Sequence, residues 1–162
     1  MRRRAKAILA SLQRFPEPSD WLAVGGCGLA FVAIAYVVKP DSVDLASAPT
    51  VPELVRMAAI AFVVPAFAEE LVFRAVLTPA FTWPWALLST GTYVAWHPLA
   101  AYAFMPEALP LFADGMFLAL VAALGALCWV AHWRTRSLWS SIVLHWLVVV
   151  VWKAASGTSF IA

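Results

Sequence analysis

The chain has 162 residues, 64% of them hydrophobic and only 12% charged, with a mean hydropathy of +0.85. Soluble domains are about half apolar and a quarter charged, and a short chain has little core volume in which to hide an excess, so the composition excludes a water-soluble globule and points to lipid as the solvent. A net charge of +2 offers no basic surface for nucleic acid, and the length suits a single membrane domain.

Residues 1–18 form a basic segment carrying Arg2, Arg3, Arg4, Lys6 and Arg14. Ile8, Leu12 and Phe15 share one helical face there, which predicts an N-terminal interfacial helix lying on the cytoplasmic leaflet. A retained anchor fits better than a cleaved signal, because the apolar run starts near residue 21 and Ala46-Ser47-Ala48 lies well past its end. Residues 19–162 read as one transmembrane domain without repeat or low-complexity tract. Its apolar segments run at about 21–38, 54–80, 84–104, 112–131 and 138–154, close to the ~18–20 residues a spanning helix needs, the last being marginal. The expected fold is an all-α polytopic membrane helix bundle with about five transmembrane helices.

Helix breakers punctuate these segments. Pro16 and Pro18 precede the first span, Pro40 and Pro49 bracket the first loop, and Pro106 and Pro110 lie in the third. Thr50-Val51-Pro52-Glu53 has the form of a capping box, and Ser137 is placed to cap the last helix. Cys27 and Cys128 sit in separate apolar runs without metal or redox spacing and read as small core residues. Arg134 and Arg136 fall on the same side as the basic N-terminus, whereas Asp41, Asp44, Glu107 and Asp114 lie in or beside the first and third loops, with Lys39 and Arg56 nearby. The positive-inside tendency then puts the N-terminus in the cytoplasm, and Trp21, Trp83, Trp85, Trp133 and Trp139 sit near helix ends, where an amphipathic ring suits the interface. The expected location is the bacterial inner membrane.

One apolar stretch carries charges that need a reason. Within PAFAEELVFRAV, residues 65–76, stand Glu69, Glu70 and Arg74. An ionised group at the centre of a spanning helix costs several kcal/mol unless it faces the bundle and finds a partner. Glu70 and Arg74 are spaced i,i+4 with the acid first, so they meet on one face. Glu69 is turned about 100° away and is left without an intrahelical counter-ion, which suits a general base or acid.

Among the histidines, His132 falls in a basic loop and reads as solvated, while His97 and His145 lie within the third and fifth apolar segments. A membrane histidine can simply satisfy an interhelical hydrogen bond. Two of them beside an unpaired glutamate favour a site. Counting about 1.5 Å per residue puts Glu69 ~20 Å, His145 ~18 Å and His97 ~10–14 Å from the outer face, a spread that helix tilt can absorb. Pro65 stands one turn before Glu69 and removes a helical hydrogen bond, and Pro98 is expected to push His97 away from helical geometry.

Three motifs follow in order, each on its own apolar segment: Glu69-Glu70-Leu71-Val72-Phe73-Arg74, Tyr93-Val94-Ala95-Trp96-His97, and Ser137-Leu138-Trp139 leading to His145. Over roughly residues 50–150 the chain resembles the CPBP intramembrane protease family, which includes type II CAAX prenyl endopeptidases and bacteriocin-processing or immunity proteins. The resemblance implies that Glu69 and His97 activate a water for attack on a peptide carbonyl, that His145 helps to stabilise the oxyanion, and that Glu70 and Arg74 orient Glu69. It implies a membrane-anchored or prenylated protein or peptide as substrate. Val149 stands where the family usually has Asn or Asp, one turn after the last histidine, and cannot donate a hydrogen bond.

A glutamic-type, metal-free endopeptidase is the expected activity. A zinc variant would place the ion on Glu69, His97 and His145. Two other readings stay open: a binding or immunity-type membrane protein without turnover, favoured by Val149, and a proton-coupled carrier, disfavoured by few spans and no repeated halves.

Overall fold

A computed structural model describes residues 2–38 and 49–156. Lys39, Pro40, Asp41, Asp44 and the Ala46-Ser47-Ala48 tripeptide lie outside the described residues. The described chain is a bundle of helices: α1 (Arg2–Gln13), α2 (Pro18–Val38), α3 (Val51–Val76), α4 (Trp83–Phe104), α5 (Gly115–Thr135) and α6 (Leu138–Ser156). Two short turns, Pro106–Ala108 and Leu109–Phe112, join α4 to α5. Helices α2, α3, α5 and α6 are long and apolar enough to cross a membrane. Helix α4 has the length, at 22 residues, but Trp, Ser, Thr, His and Pro make it less apolar. The protein is an integral membrane helix bundle.

Helix α5 is the centre of the bundle and packs against α2, α4 and α6. Its Leu120, Leu124, Cys128 and Ala131 close a core with Val24, Cys27 and Phe31 of α2 and Leu144 of α6. Both cysteines are buried free thiols, as their apolar settings predict. The opposite surfaces stay apolar: Leu22, Leu29, Val32 and Val37 of α2 are exposed, as lipid-facing side chains are.

The helix ends carry the expected punctuation in part. At α3 the Glu53 carboxylate accepts from the Thr50 backbone N–H at 2.8 Å and from its hydroxyl at 2.7 Å. At α5 the Asp114 carboxylate accepts from the Phe117 N–H at 2.9 Å. That helix ends at Arg136, whose φ of 57° is left-handed. Ser137 does something other than cap α6: its hydroxyl donates to the Arg14 carbonyl.

Helix α1 forms where its amphipathic pattern predicts, but Ile8 and Leu12 pack on protein. They lie against Ala66, Ala75, Leu138 and Ile142, and the Trp139 indole donates to the Leu12 carbonyl at 2.8 Å. Leu9 and Phe15 point outward.

Two local expectations are corrected. His132 is not in a solvated loop: α5 runs on to Thr135 and buries it, with its ring edge-on to Phe81 at 5.0 Å. The basic run after it is part of the helix's last turn, where cations suit the carbonyl end. His97 stays helical, because α4 continues through Pro98 and its neighbours hold the turn that the proline weakens. The break occurs at the other proline. Val64, directly before Pro65, has φ −134° and ψ 116°, the extended geometry that a following proline imposes.

Candidate active site

The interrupted helix α3 sets up the site. The break at Val64 falls inside one wide π-helical stretch, Phe62–Phe67, which is followed by Ala68–Glu70 and then by a second wide stretch, Leu71–Val76. Such widened turns re-aim side chains and recur at functional sites. Here they flank Glu69 and Glu70.

Glu70 and Arg74 form the ion pair that their spacing predicts, Oε2 to Nε 3.2 Å, with both side chains fully buried. Neither stops there. Arg74 Nη1 donates to the Ser89 hydroxyl at 2.7 Å, which itself donates to the Phe73 carbonyl at 2.8 Å. The guanidinium carbon also lies 5.0 Å from the centre of the Tyr93 ring. On the other side Glu70 Oε1 is 3.1 Å from His145 Nδ1, and His145 Nε2 is 3.2 Å from the Tyr93 hydroxyl. A carboxylate paired with arginine only accepts, so Nδ1 of His145 carries the proton. The result is a continuous buried chain, Ser89–Arg74–Glu70–His145–Tyr93, linking α3, α4 and α6.

Glu69 faces away from that chain. It is half-buried, and its Oε1 accepts from the Trp96 indole at 3.1 Å. Its Oε2 is buried and has no hydrogen-bond partner. His97 lies one residue beyond Trp96. Its Nδ1 bonds the Tyr93 carbonyl at 2.9 Å, which fixes the proton on Nδ1 in the neutral ring and leaves Nε2 as the basic nitrogen. Glu69, Tyr93, His97 and His145 all line one cavity of about 680 Å³. The rest of its wall is largely apolar, with Phe31, Trp96, Phe117, Leu124 and Val149 among the lining side chains. Lys153 is the one cation on it among the described residues. An apolar chamber with a few convergent polar groups is the usual form of a ligand site.

Sequence reasoning allowed Glu69, His97 and His145 to meet within the error of helix tilt and paired Glu70 with Arg74. It placed Tyr93 and Trp96 in a motif without giving either a role, and did not single out Ser89. A signal was available: Ser89, Tyr93 and His97 recur at i,i+4 along α4 and so share one face. Tight packing holds that face. A Cβ on Gly125 of α5 would lie 2.9 Å from Tyr93 Cδ1. Gly125→Ala is therefore expected to displace the Tyr93 ring and destabilise the bundle by about 1–3 kcal/mol. Thermal unfolding in detergent reads this out, and an unchanged midpoint would show that the contact is slack.

Zinc fits this arrangement poorly. The zinc variant needs His145, whose two ring nitrogens are already taken by Glu70 and Tyr93. Among the described residues no three His, Cys, Asp or Glu side chains are grouped as a metal site requires.

Residues 51–151 match the family model described as type II CAAX prenyl endopeptidase Rce1-like. The chain belongs to this family. All three motifs and the whole buried chain of Ser89, Arg74, Glu70, His145 and Tyr93 lie inside the matched range. Neither a curated protein nor a solved structure matches the chain.

Proposed function

We propose that this Rce1-like protein is an intramembrane endopeptidase that hydrolyses a peptide bond in a membrane-anchored or prenylated protein or peptide, using water activated by Glu69 and His97. The observation that carries this reading is the cavity itself. It is lined by Glu69, which has one carboxylate oxygen buried without a hydrogen-bond partner, and by His97, whose Nδ1 is committed and whose Nε2 is the basic nitrogen, inside walls apolar enough for a lipidated or membrane-derived segment. Water entering between those groups meets a proton acceptor on the carboxylate, and its oxygen gains nucleophilicity as the O–H bond weakens. As that oxygen bonds to the carbonyl carbon, the carbonyl electron pair moves onto oxygen. Collapse then breaks the C–N bond, and the proton held by Glu69 passes to the leaving nitrogen. Glu70 and Arg74 hold the turn that aims Glu69. The basic N-terminal segment supports a cytoplasmic N-terminus in the bacterial inner membrane.

The test is cleavage of a panel of farnesylated and membrane-anchored peptides by the protein in vesicles. Wild type is expected to cut at least one of them, and treatment with a strong chelator is expected to change its rate by less than twofold. A rate lost to chelator and restored by zinc would replace the metal-free mechanism by a zinc one. Silence of wild type across the panel would favour the non-catalytic binding reading, for which Val149 is the supporting residue.

A further inference from the structure

Peptide hydrolysis places a negative charge on the former carbonyl oxygen, and the proposed site must offer that oxygen a hydrogen-bond donor. The neutral side chains around the cavity leave few choices. Val149, one turn beyond His145 on the same face of α6, is apolar. His145 commits its Nδ1 proton to Glu70, so in the neutral ring its Nε2 accepts rather than donates. The Trp96 indole is committed to Glu69 and the His97 Nδ1 proton to a backbone carbonyl. Trp152 and Lys153 lie seven and eight residues past His145, about 10–12 Å along the helix.

Tyr93 remains. Its hydroxyl lies 3.2 Å from His145 Nε2, and the residue lines the cavity together with Glu69 and His97. Its ring is clamped by Phe73 at 5.4 Å edge-on, by Arg74 above its face at 5.0 Å, and by Gly125. We propose that the Tyr93 hydroxyl is the hydrogen-bond donor to the oxyanion, doing here what a polar side chain at position 149 would otherwise do, with His145 as the residue that positions it. The inference rests on the protease reading above. At rest the O–H donates to His145 Nε2. When the oxyanion forms it is the stronger acceptor, because a charged acceptor strengthens a hydrogen bond about twofold. Rotation about the phenol C–O bond then turns the donor to it. Tyr93 keeps its proton throughout, so no bond to it is made or broken.

Turnover of a quenched-fluorescent farnesylated peptide in vesicles tests this, with wild type, Glu69→Gln as the inactive control, Tyr93→Phe, and Tyr93→Phe combined with Val149→Asn. Tyr93→Phe is expected to lower kcat by about 10²–10³-fold, with KM changed less than twofold and the thermal midpoint kept. Adding Val149→Asn is expected to restore at least tenfold of that loss, since asparagine brings an N–H donor to the same wall. A Tyr93→Phe protein within threefold of the wild-type kcat overturns the proposal while leaving the protease reading in place. Should Tyr93→Phe also lower the midpoint, the combined variant decides: rescued turnover supports the donor role and absent rescue overturns it. A wild type silent on this peptide and across the whole panel of farnesylated and membrane-anchored peptides overturns both readings together.

Discussion

Glu69→Gln is expected to lower turnover by about 10²–10⁴-fold, the usual contribution of a positioned general base, while the unfolding midpoint moves by no more than a degree or two. The two halves of this expectation have separate causes. Glutamine keeps the shape of the side chain and an oxygen that can accept from Trp96, so the hydrogen bond that holds Glu69 survives. It loses the basic oxygen on the unpartnered side, and with it the proton acceptor for water. Among the described residues no ion pair involves Glu69, so no buried charge is stranded when it becomes neutral. The check is kcat from cleavage in vesicles beside thermal unfolding of the same preparation. Turnover within tenfold of wild type would remove Glu69 from the chemistry. A midpoint that collapses instead would make it a structural residue like its neighbour.

That Glu69 and Glu70 differ was legible from spacing alone, because an i,i+4 partner exists for only one of them. The membrane bundle was legible from composition, and the ends of α2, α4 and α6 from their breakers to within a few residues. Other features were hidden for physical reasons. The fate of His132 depended on where α5 ends, and helix ends shift by a turn without changing hydropathy. Pro65 and Pro98 look alike in sequence, yet only the first breaks its helix. Whether a proline breaks a helix in a bundle is decided by the neighbours that can replace the lost hydrogen bond. The partner of His145 could not be read at all, since pairing across α3, α4 and α6 is a matter of helix rotation, which a hydropathy pattern with apolar residues all round does not encode. Lys39, Asp41 and Asp44, which entered the expected orientation, lie outside the described residues.

Glu70→Ala is expected to be strongly destabilising, by about 3–5 kcal/mol, because it removes one member of a buried charged pair and strands the other. Among the described residues Arg74 would keep the Ser89 hydroxyl and the Tyr93 ring as partners, with its side chain fully buried. His145 would lose the acceptor of its Nδ1 proton, and Tyr93 the fixed nitrogen beside its hydroxyl. Activity should therefore fall too, but through loss of folded protein and of site geometry rather than through the base. The double variant Glu70→Leu, Arg74→Met separates these causes. With both charges gone and the volume kept, stability should return most of the way to wild type, since well-packed apolar groups replace a buried pair at little cost. Turnover should stay low, because His145 still lacks its partner. Unfolding in detergent, measured in parallel with cleavage, reads both. A Glu70→Ala protein as stable as wild type would mean that water reaches this chain of residues, and that Glu70 does not anchor the helix from which Glu69 works.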